Sequence, residues 1–330
     1  MSEKLRVACY GISGHQILPS LKDHPRAEPV SVAEIPVEAV RECVGDEAAA
    51  RVRMEPDLDA ILSADDVDLV SLCSPRRDEQ LDHAYRCLRA GKHVLAEKPA
   101  VITVAELDGL KDFMAGCDRL FWPLASCACE GMLLAIRDLV DGGRLGTVAQ
   151  VLVRKSYPYH DGRSQDRGVD GGLIRQAGIH GVRYIQWATG QKAVAVSGFD
   201  TTCGNPKRGN LQMAASVSLQ LDGGAVAQLT CNYLNQEGFG HWGDDAIRVS
   251  GTAGFAETLD GHTRSRMFLG DEPEQPVPGA DRPFPDFVDC IVDHLLDGSP
   301  MPWSLEDDLH ALRTVCRAQE AVDRRCVLEV

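Results

Sequence analysis

Apolar positions in the first third of the chain fall into short blocks of strand length, set between segments of helical period. Leu5-Arg6-Val7-Ala8-Cys9-Tyr10 opens the series and Pro29-Val30-Ser31-Val32-Ala33 follows. Val67-Asp68-Leu69-Val70-Ser71-Leu72-Cys73-Ser74-Pro75 has an apolar centre that reads as buried on both faces, as in a parallel sheet. Leu81–Ala90 is helical in period and stops at Gly91, after which His93-Val94-Leu95-Ala96 is a strand that Pro99 forbids from simply running on. Thr103-Val104-Ala105-Glu106 spells a capping box that opens the next helix. A helix is also expected after the loop Gly11–Gln16, through Leu21. Strands alternating with helices predict an α/β domain on a parallel sheet.

After Leu120-Phe121-Trp122-Pro123 the pattern changes. A helix is predicted over Met132–Asp141, and alternating strands over Ala149–Lys155, Met213–Leu221, Ala225–Tyr233 and Ala246–Ser250, parted by turn signals such as Asp222-Gly223-Gly224. These predict a second, α+β domain on a largely antiparallel sheet, and place domains at 1–122 and 123–330. Pro285–Leu296 reads as a helix, Ser304 opens another, and Cys326-Val327-Leu328 is a last strand.

Composition narrows the function classes. The 330 residues carry 44% hydrophobic and 25% charged side chains, as a globular chain does. A formal charge of −15 would repel nucleic-acid phosphates and anionic lipid, so neither is an expected partner. No apolar run has membrane-spanning length, and Met1-Ser2-Glu3-Lys4 leads into a strand without an apolar leader, which predicts a cytoplasmic location. The 12 cysteines are scattered, with Cys127-Ala128-Cys129 the closest pair and no Cys-x-x-Cys, so they are expected to be reduced packing residues and no metal site is predicted.

Candidate chemistry sits at the ends of predicted strands. Gly11-Ile12-Ser13-Gly14-His15-Gln16 is a degraded dinucleotide fingerprint: Gly11 keeps the tight turn, while Ser13 and Gln16 replace the later glycines and Gly14 stands between them. Backbone N–H groups at a following helix start would hold a diphosphate. Glu34, ending the second strand, can accept hydrogen bonds from ribose hydroxyls and would repel a 2′-phosphate, which favours NAD over NADP; Arg41 is the alternative phosphate partner. Glu97-Lys98-Pro99 occupies a strand-to-helix crossover, the kind that lines the ligand crevice of an open α/β sheet.

In this order the helix, Gly91, the strand, Glu97-Lys98-Pro99 and the capped helix resemble the Gfo/Idh/MocA oxidoreductases. The strand ending in Ser74-Pro75, the Gly143-Arg144-Leu145-Gly146-Thr147-Val148 and Gly251-Thr252-Ala253-Gly254 segments, and Gly171–Arg183 extend the resemblance over the whole chain. It implies an N-terminal Rossmann domain, a C-terminal open sheet that builds oligomers through its face, and a homo-oligomer, dimer or tetramer. It also implies that Cys73, Ser74, Pro75 and Glu97 neighbour the cofactor. The family's Asp-x-Gly-x-His-x-x-Asp becomes Gln176-Ala177-Gly178-Ile179-His180-Gly181-Val182-Arg183 here: Gly178 and His180 are kept and both aspartates are replaced. Residues 176 and 180 are expected on one helical face.

The expected activity is oxidation of a secondary hydroxyl of a sugar, polyol or cyclitol, with Lys98 holding the reacting oxygen and exchanging its proton directly or through His180. Tyr157, Tyr159, His160, Arg175, Gln176, His241 and Trp242 are candidate substrate neighbours. Two rivals are an NAD-retaining lyase or epimerase working by transient oxidation, and a catalytically silent ligand-binding relative.

Overall fold

The computed structural model describes residues 4–125 and 130–330; the Cys127 and Cys129 positions lie outside them. Contacts divide the chain into two compact units, Met1–Cys127 with Pro285–Leu305, and Ala128–Phe284 with Glu306–Val330.

The first unit is built on a six-stranded parallel sheet: β1 (Leu5–Tyr10), β2 (Ala27–Ala33), β3 (Arg53–Met54), β4 (Leu69–Leu72), β5 (His93–Ala96) and β6 (Phe121–Pro123). Their order is β3-β2-β1-β4-β5-β6, the doubly wound arrangement in which strand order reverses between β1 and β4. All four residues of β4 are buried, as its apolar run requires of a central parallel strand. Helix Val104–Met114 starts on the predicted capping box, with Glu106 N donating to Thr103 Oγ1 and Thr103 N donating to Glu106 Oε2, each at 3.1 Å. The returning helix Phe287–Asp297 joins this unit: His24 Nε2 lies 2.9 Å from Asp289 Oδ1, and Arg26 pairs with Asp293.

One expectation fails here. No α-helix follows the Gly11 loop, only a 3₁₀ turn over Leu18–Leu21. Pro19 lacks the N–H that would bond the carbonyl four residues back, and its ring collides with that carbonyl, so no α-turn can run through 15–19. Asp23, at φ +53°, then turns the chain towards β2.

The second unit carries an eight-stranded sheet: β7 (Val148–Ser156), β8 (Ala193–Thr201), β9 (Ala214–Leu221), β10 (Val226–Asn232), β11 (Ala246–Gly251), β12 (Gly254–Leu259), β13 (Arg264–Leu269) and β14 (Leu328–Glu329). The order is β13-β12-β11-β7-β10-β9-β8-β14, antiparallel except for the central pair β7–β10. Alternation places Val151 and Val153 in the core and leaves Leu152 and Arg154 exposed. The buried alternate residues face helices Gly131–Asp141 and Ile179–Thr189. Among the described residues no helix is long and apolar enough to cross a membrane.

Candidate functional site

The chemistry falls into two constellations, one in each unit. In the first, Lys98 is the second residue after β5, at the carboxyl end of the parallel sheet, where crossovers collect ligands. It is 5% exposed and joined to Pro99 by a cis peptide bond. Its Nζ lies 3.8 Å from Oε1 of the fully buried Glu97, and His15 Nδ1 lies 3.1 Å from both oxygens of that carboxylate. Burial pushes the Glu97 carboxyl up, but His15, Lys98 and Arg77 outweigh it and hold the group at about 2, so it is charged at neutral pH.

The glycine loop packs directly on this pair. A Cβ at Gly14 would fall 2.3 Å from Glu97 Oε1, and one at Gly11, which sits at φ +71°, would fall 2.2 Å from the Cys73 carbonyl oxygen. Gln16, in the place of the third fingerprint glycine, donates from Nε2 to the carbonyls of Gly11 at 2.9 Å and Ser71 at 3.3 Å, stapling the ends of β1 and β4. Ser13 N donates to the Cys73 carbonyl at 3.3 Å. Ser74 is fully buried, with its hydroxyl 2.9 Å from His83 Nδ1. Glu34 is exposed at the end of β2, and Arg41 lies 3.9 Å from Asp46.

Two residues here escaped the sequence reading. Arg77 is 6% exposed and clamps the loop by donating to the carbonyls of Ser13 and Ser74. Gln80 accepts from Ser74 N at 3.0 Å and donates to the carbonyls of Leu72 and Glu97 at 2.8 and 3.2 Å, tying the ends of β4 and β5 together. Their only signal was position, a polar pair just after a strand that ends in Ser-Pro.

The second constellation surrounds His180. Ile174–Gly178 is a π-turn that feeds helix Ile179–Thr189, so Gln176 lies in the wider turn and His180 in the first turn of the helix that follows. His180 is 1% exposed. Gln176 donates from Nε2 to the Asp170 carbonyl, and Arg163 Nη1 holds the Asp170 carboxylate at 2.8 Å and the Tyr233 hydroxyl at 3.0 Å. Arg183, in the second lost aspartate's place, forms a buried ion pair with Asp308 at 2.8 Å.

Of the candidate substrate neighbours, Tyr157 is buried, stacks at 6.5 Å on Tyr233 and meets the exposed ring of Trp242 at 6.4 Å. Tyr159 accepts from Gln165 at 3.3 Å, while His160 and His241 are exposed. Arg175 folds back onto the Gly171 carbonyl at 3.1 Å. Beneath Tyr157 lies a cluster that periodicity did not reveal: Lys155 pairs with Asp245 and reaches the Tyr184 hydroxyl at 3.0 Å. Burial, then Asp245, raises Glu130 to about 7. Among the described residues no group of three His, Cys, Asp or Glu side chains is placed to hold a metal ion.

Residues 5–123 match the model of the oxidoreductase family with an NAD-binding Rossmann fold, and residues 133–257 match the Gfo/Idh/MocA C-terminal domain. The chain belongs to the Gfo/Idh/MocA oxidoreductase family. Among curated relatives, it is 30% identical over 189 residues to a dTDP-3,4-didehydro-2,6-dideoxy-alpha-D-glucose 3-reductase of Streptomyces violaceoruber, covering 56% of this chain and 53% of that protein. It is 26% identical over 205 residues to inositol 2-dehydrogenase of Rhizobium meliloti, covering 60% and 58%. The chain thus spans between half and three-fifths of these relatives. Aldose-aldose oxidoreductase from Caulobacter crescentus superposes with a TM-score of 0.81 at 22% identity, over 99% of this chain and 100% of that one, a likeness that carries the fold alone.

The first unit is therefore an NAD-binding Rossmann domain. Its residues fit a dinucleotide at the tight glycine turn after β1, where Gly11 and Gly14 take positive φ, and at the exposed acid ending β2. They depart from the usual pattern in lacking an α-helix N-terminus behind the loop.

Proposed function

We propose that this protein is an NAD-dependent dehydrogenase for a secondary hydroxyl of a sugar, polyol or cyclitol. The observation that carries the reading is Lys98: a nearly buried amine, held beside an ionised Glu97 at the carboxyl end of a parallel sheet whose strand order reverses next to it. The bound cofactor supplies a hydride acceptor. Lys98 holds the substrate oxygen and takes its proton; His180, in the second unit, is the other proton-handling candidate, since imidazole suits the task near neutral pH. Gln176, a neutral donor engaged by the Asp170 carbonyl, offers no charge to stabilise an imidazolium. Tyr157 and Trp242 offer flat apolar faces for the C–H faces of a ring. Glu34 selects NAD by repelling a 2′-phosphate. The exposed face of the C-terminal sheet, with Leu152, Phe199 and Val226 on strands β7, β8 and β10, is the proposed homo-oligomer surface.

The test is a screen of sugars and cyclitols by thermal shift with NAD present, followed by NADH production on each hit. Lys98→Ala should abolish turnover and His180→Ala should lower it about a hundredfold. Glu34→Ala should weaken NAD binding. Full activity of either Lys98→Ala or His180→Ala, folded, would overturn the assignment of that residue. Turnover without NADH release would favour the redox-neutral, transient-oxidation reaction instead.

A further inference from the structure

In the second unit, the loop after β7 carries a guanidinium that is fixed in place with part of its hydrogen-bonding capacity unspent. Arg163 Nη1 donates to Asp170 Oδ1 at 2.8 Å and to the Tyr233 hydroxyl at 3.0 Å, and the guanidinium carbon lies 4.0 Å from the centroid of the Tyr233 ring. Asp170 is itself anchored, since its Oδ2 accepts from Gly172 N at 3.3 Å and its carbonyl accepts from Gln176. The opposite edge of the arginine, where Nε and Nη2 point the same way, meets none of these partners. Among the described residues the buried Nε has no hydrogen-bond partner, while 15% of the side chain is open to solvent. A buried N–H without an acceptor is costly, and an Nε–Nη2 edge matches the two oxygens of a carboxylate. The charge nearby has shifted in the same direction. The motif that the sequence resembles carries an aspartate where this chain has Gln176, so a negative charge is missing two hydrogen bonds away from the fixed cation.

We propose that Arg163 binds a carboxylate of the substrate through its Nε–Nη2 edge, so that the substrate is a sugar acid or a carboxylated cyclitol rather than a neutral polyol. The inference rests on the reading of this unit as the one that binds the sugar. Tyr157, stacked on Tyr233, takes a C–H face of the ring, while the fork fixes which end of the molecule carries the acid. Asp170 does not compete for the same edge, because its bond is to Nη1. A phosphate dianion would bring a second charge, and the cation on the other ring of the stack, Lys155 at 5.0 Å from Tyr157, is already spent on Asp245. The formal charge of −15 acts on approach, where salt screens it over about 8 Å, and leaves the short-range fork to decide binding.

The test is calorimetric binding to the full chain, with NAD present, of D-glucuronate, D-galacturonate, D-gluconate and quinate, each against its own carboxamide, which keeps the shape and removes the charge. At least one acid should bind roughly ten- to a hundredfold more tightly than its carboxamide in the wild type. Arg163→Gln should abolish that preference, and Arg163→Lys, which keeps a charge for Asp170 but has no fork, should reduce it several-fold. Should Arg163→Gln fail to fold because Asp170 is left unpaired, the wild-type ratio and Arg163→Lys decide the matter. No acid preferred over its carboxamide, an undiminished preference in either variant, or tighter binding of glucose 6-phosphate than of any acid overturns the proposal. NADH formation, followed separately, keeps the two readings apart. Acids held through Arg163 with no NADH from any of them would overturn the dehydrogenase reading and leave the carboxylate subsite standing, whereas NADH from neutral sugars without any preference for acids would do the reverse.

Discussion

Arg183 stands at the second aspartate position of the motif that the sequence resembles, and its buried ion pair gives it a measurable cost of removal. Its guanidinium meets Asp308 Oδ1 at 2.8 Å, with side-chain exposures of 3% and 0%, and it lies over the Trp187 ring at 4.9 Å. Arg183→Met keeps most of the packing and deletes the charge, leaving a fully buried carboxylate without its guanidinium. Breaking such a pair from one side typically costs about 3–5 kcal/mol. For a unit of this size each kcal/mol lowers the melting temperature by about 2–4 °C, so a fall of roughly 6–20 °C is expected. Arg183→Asp, which writes the family residue back, should be worse, because two carboxylates then face one another in the core. Arg183→Met combined with Asp308→Leu should recover much of the loss, since a buried pair exchanged for apolar groups is often neutral. Calorimetry, checked by urea unfolding, measures each variant, and NAD titration reports that the Rossmann unit is intact. A single variant that costs less than about 1 kcal/mol, or a double variant as damaged as the single, would refute the reasoning.

Gly11→Ala should destabilise the Rossmann unit by about 2 kcal/mol or more and weaken NAD binding with it, because φ +71° and a Cβ 2.2 Å from the Cys73 carbonyl cannot both be met without moving the loop; thermal melts and NAD titration check this. Glu97, held at about 2 against an ordinary 4.5, contributes stability that is present above pH 4.5 and lost as pH falls towards 2. Glu97→Gln should flatten that acid limb of the stability curve. Glu130 has the opposite sign: with its pKa raised to about 7, the folded state keeps a proton that the unfolded chain releases from about pH 4.5, so stability falls as pH rises through that window. Urea unfolding between pH 4.5 and 7.5 should show this slope in the wild type and lose it in Glu130→Gln.

The local periodicities determined much of this protein by themselves. The central strands of the parallel sheet, the capping box at Thr103 and Glu106, and the placement of Lys98 just past β5 all follow from side-chain patterns that repeat over a few residues, because backbone geometry fixes those periods. The edge strand β3, with two residues, and the outer strands β12 and β13 were not read from the pattern, since their pairing depends on neighbours already in place. The missing helix after Gly11 was legible in Pro19, but the glycine fingerprint spoke against it. Only the tertiary structure decided where the charges went. Nothing near Arg183 in the chain names Asp308, and nothing near His15 names Glu97; each pair forms because distant strands and helices deliver both members to one place. The same holds for Arg77, one of whose partners is the Ser13 carbonyl far back in the sequence, and for the return of Phe287–Asp297 to the first unit, where Asp289 meets His24. A sequence displays the period of a backbone, whereas the partner of a buried charge is chosen by topology.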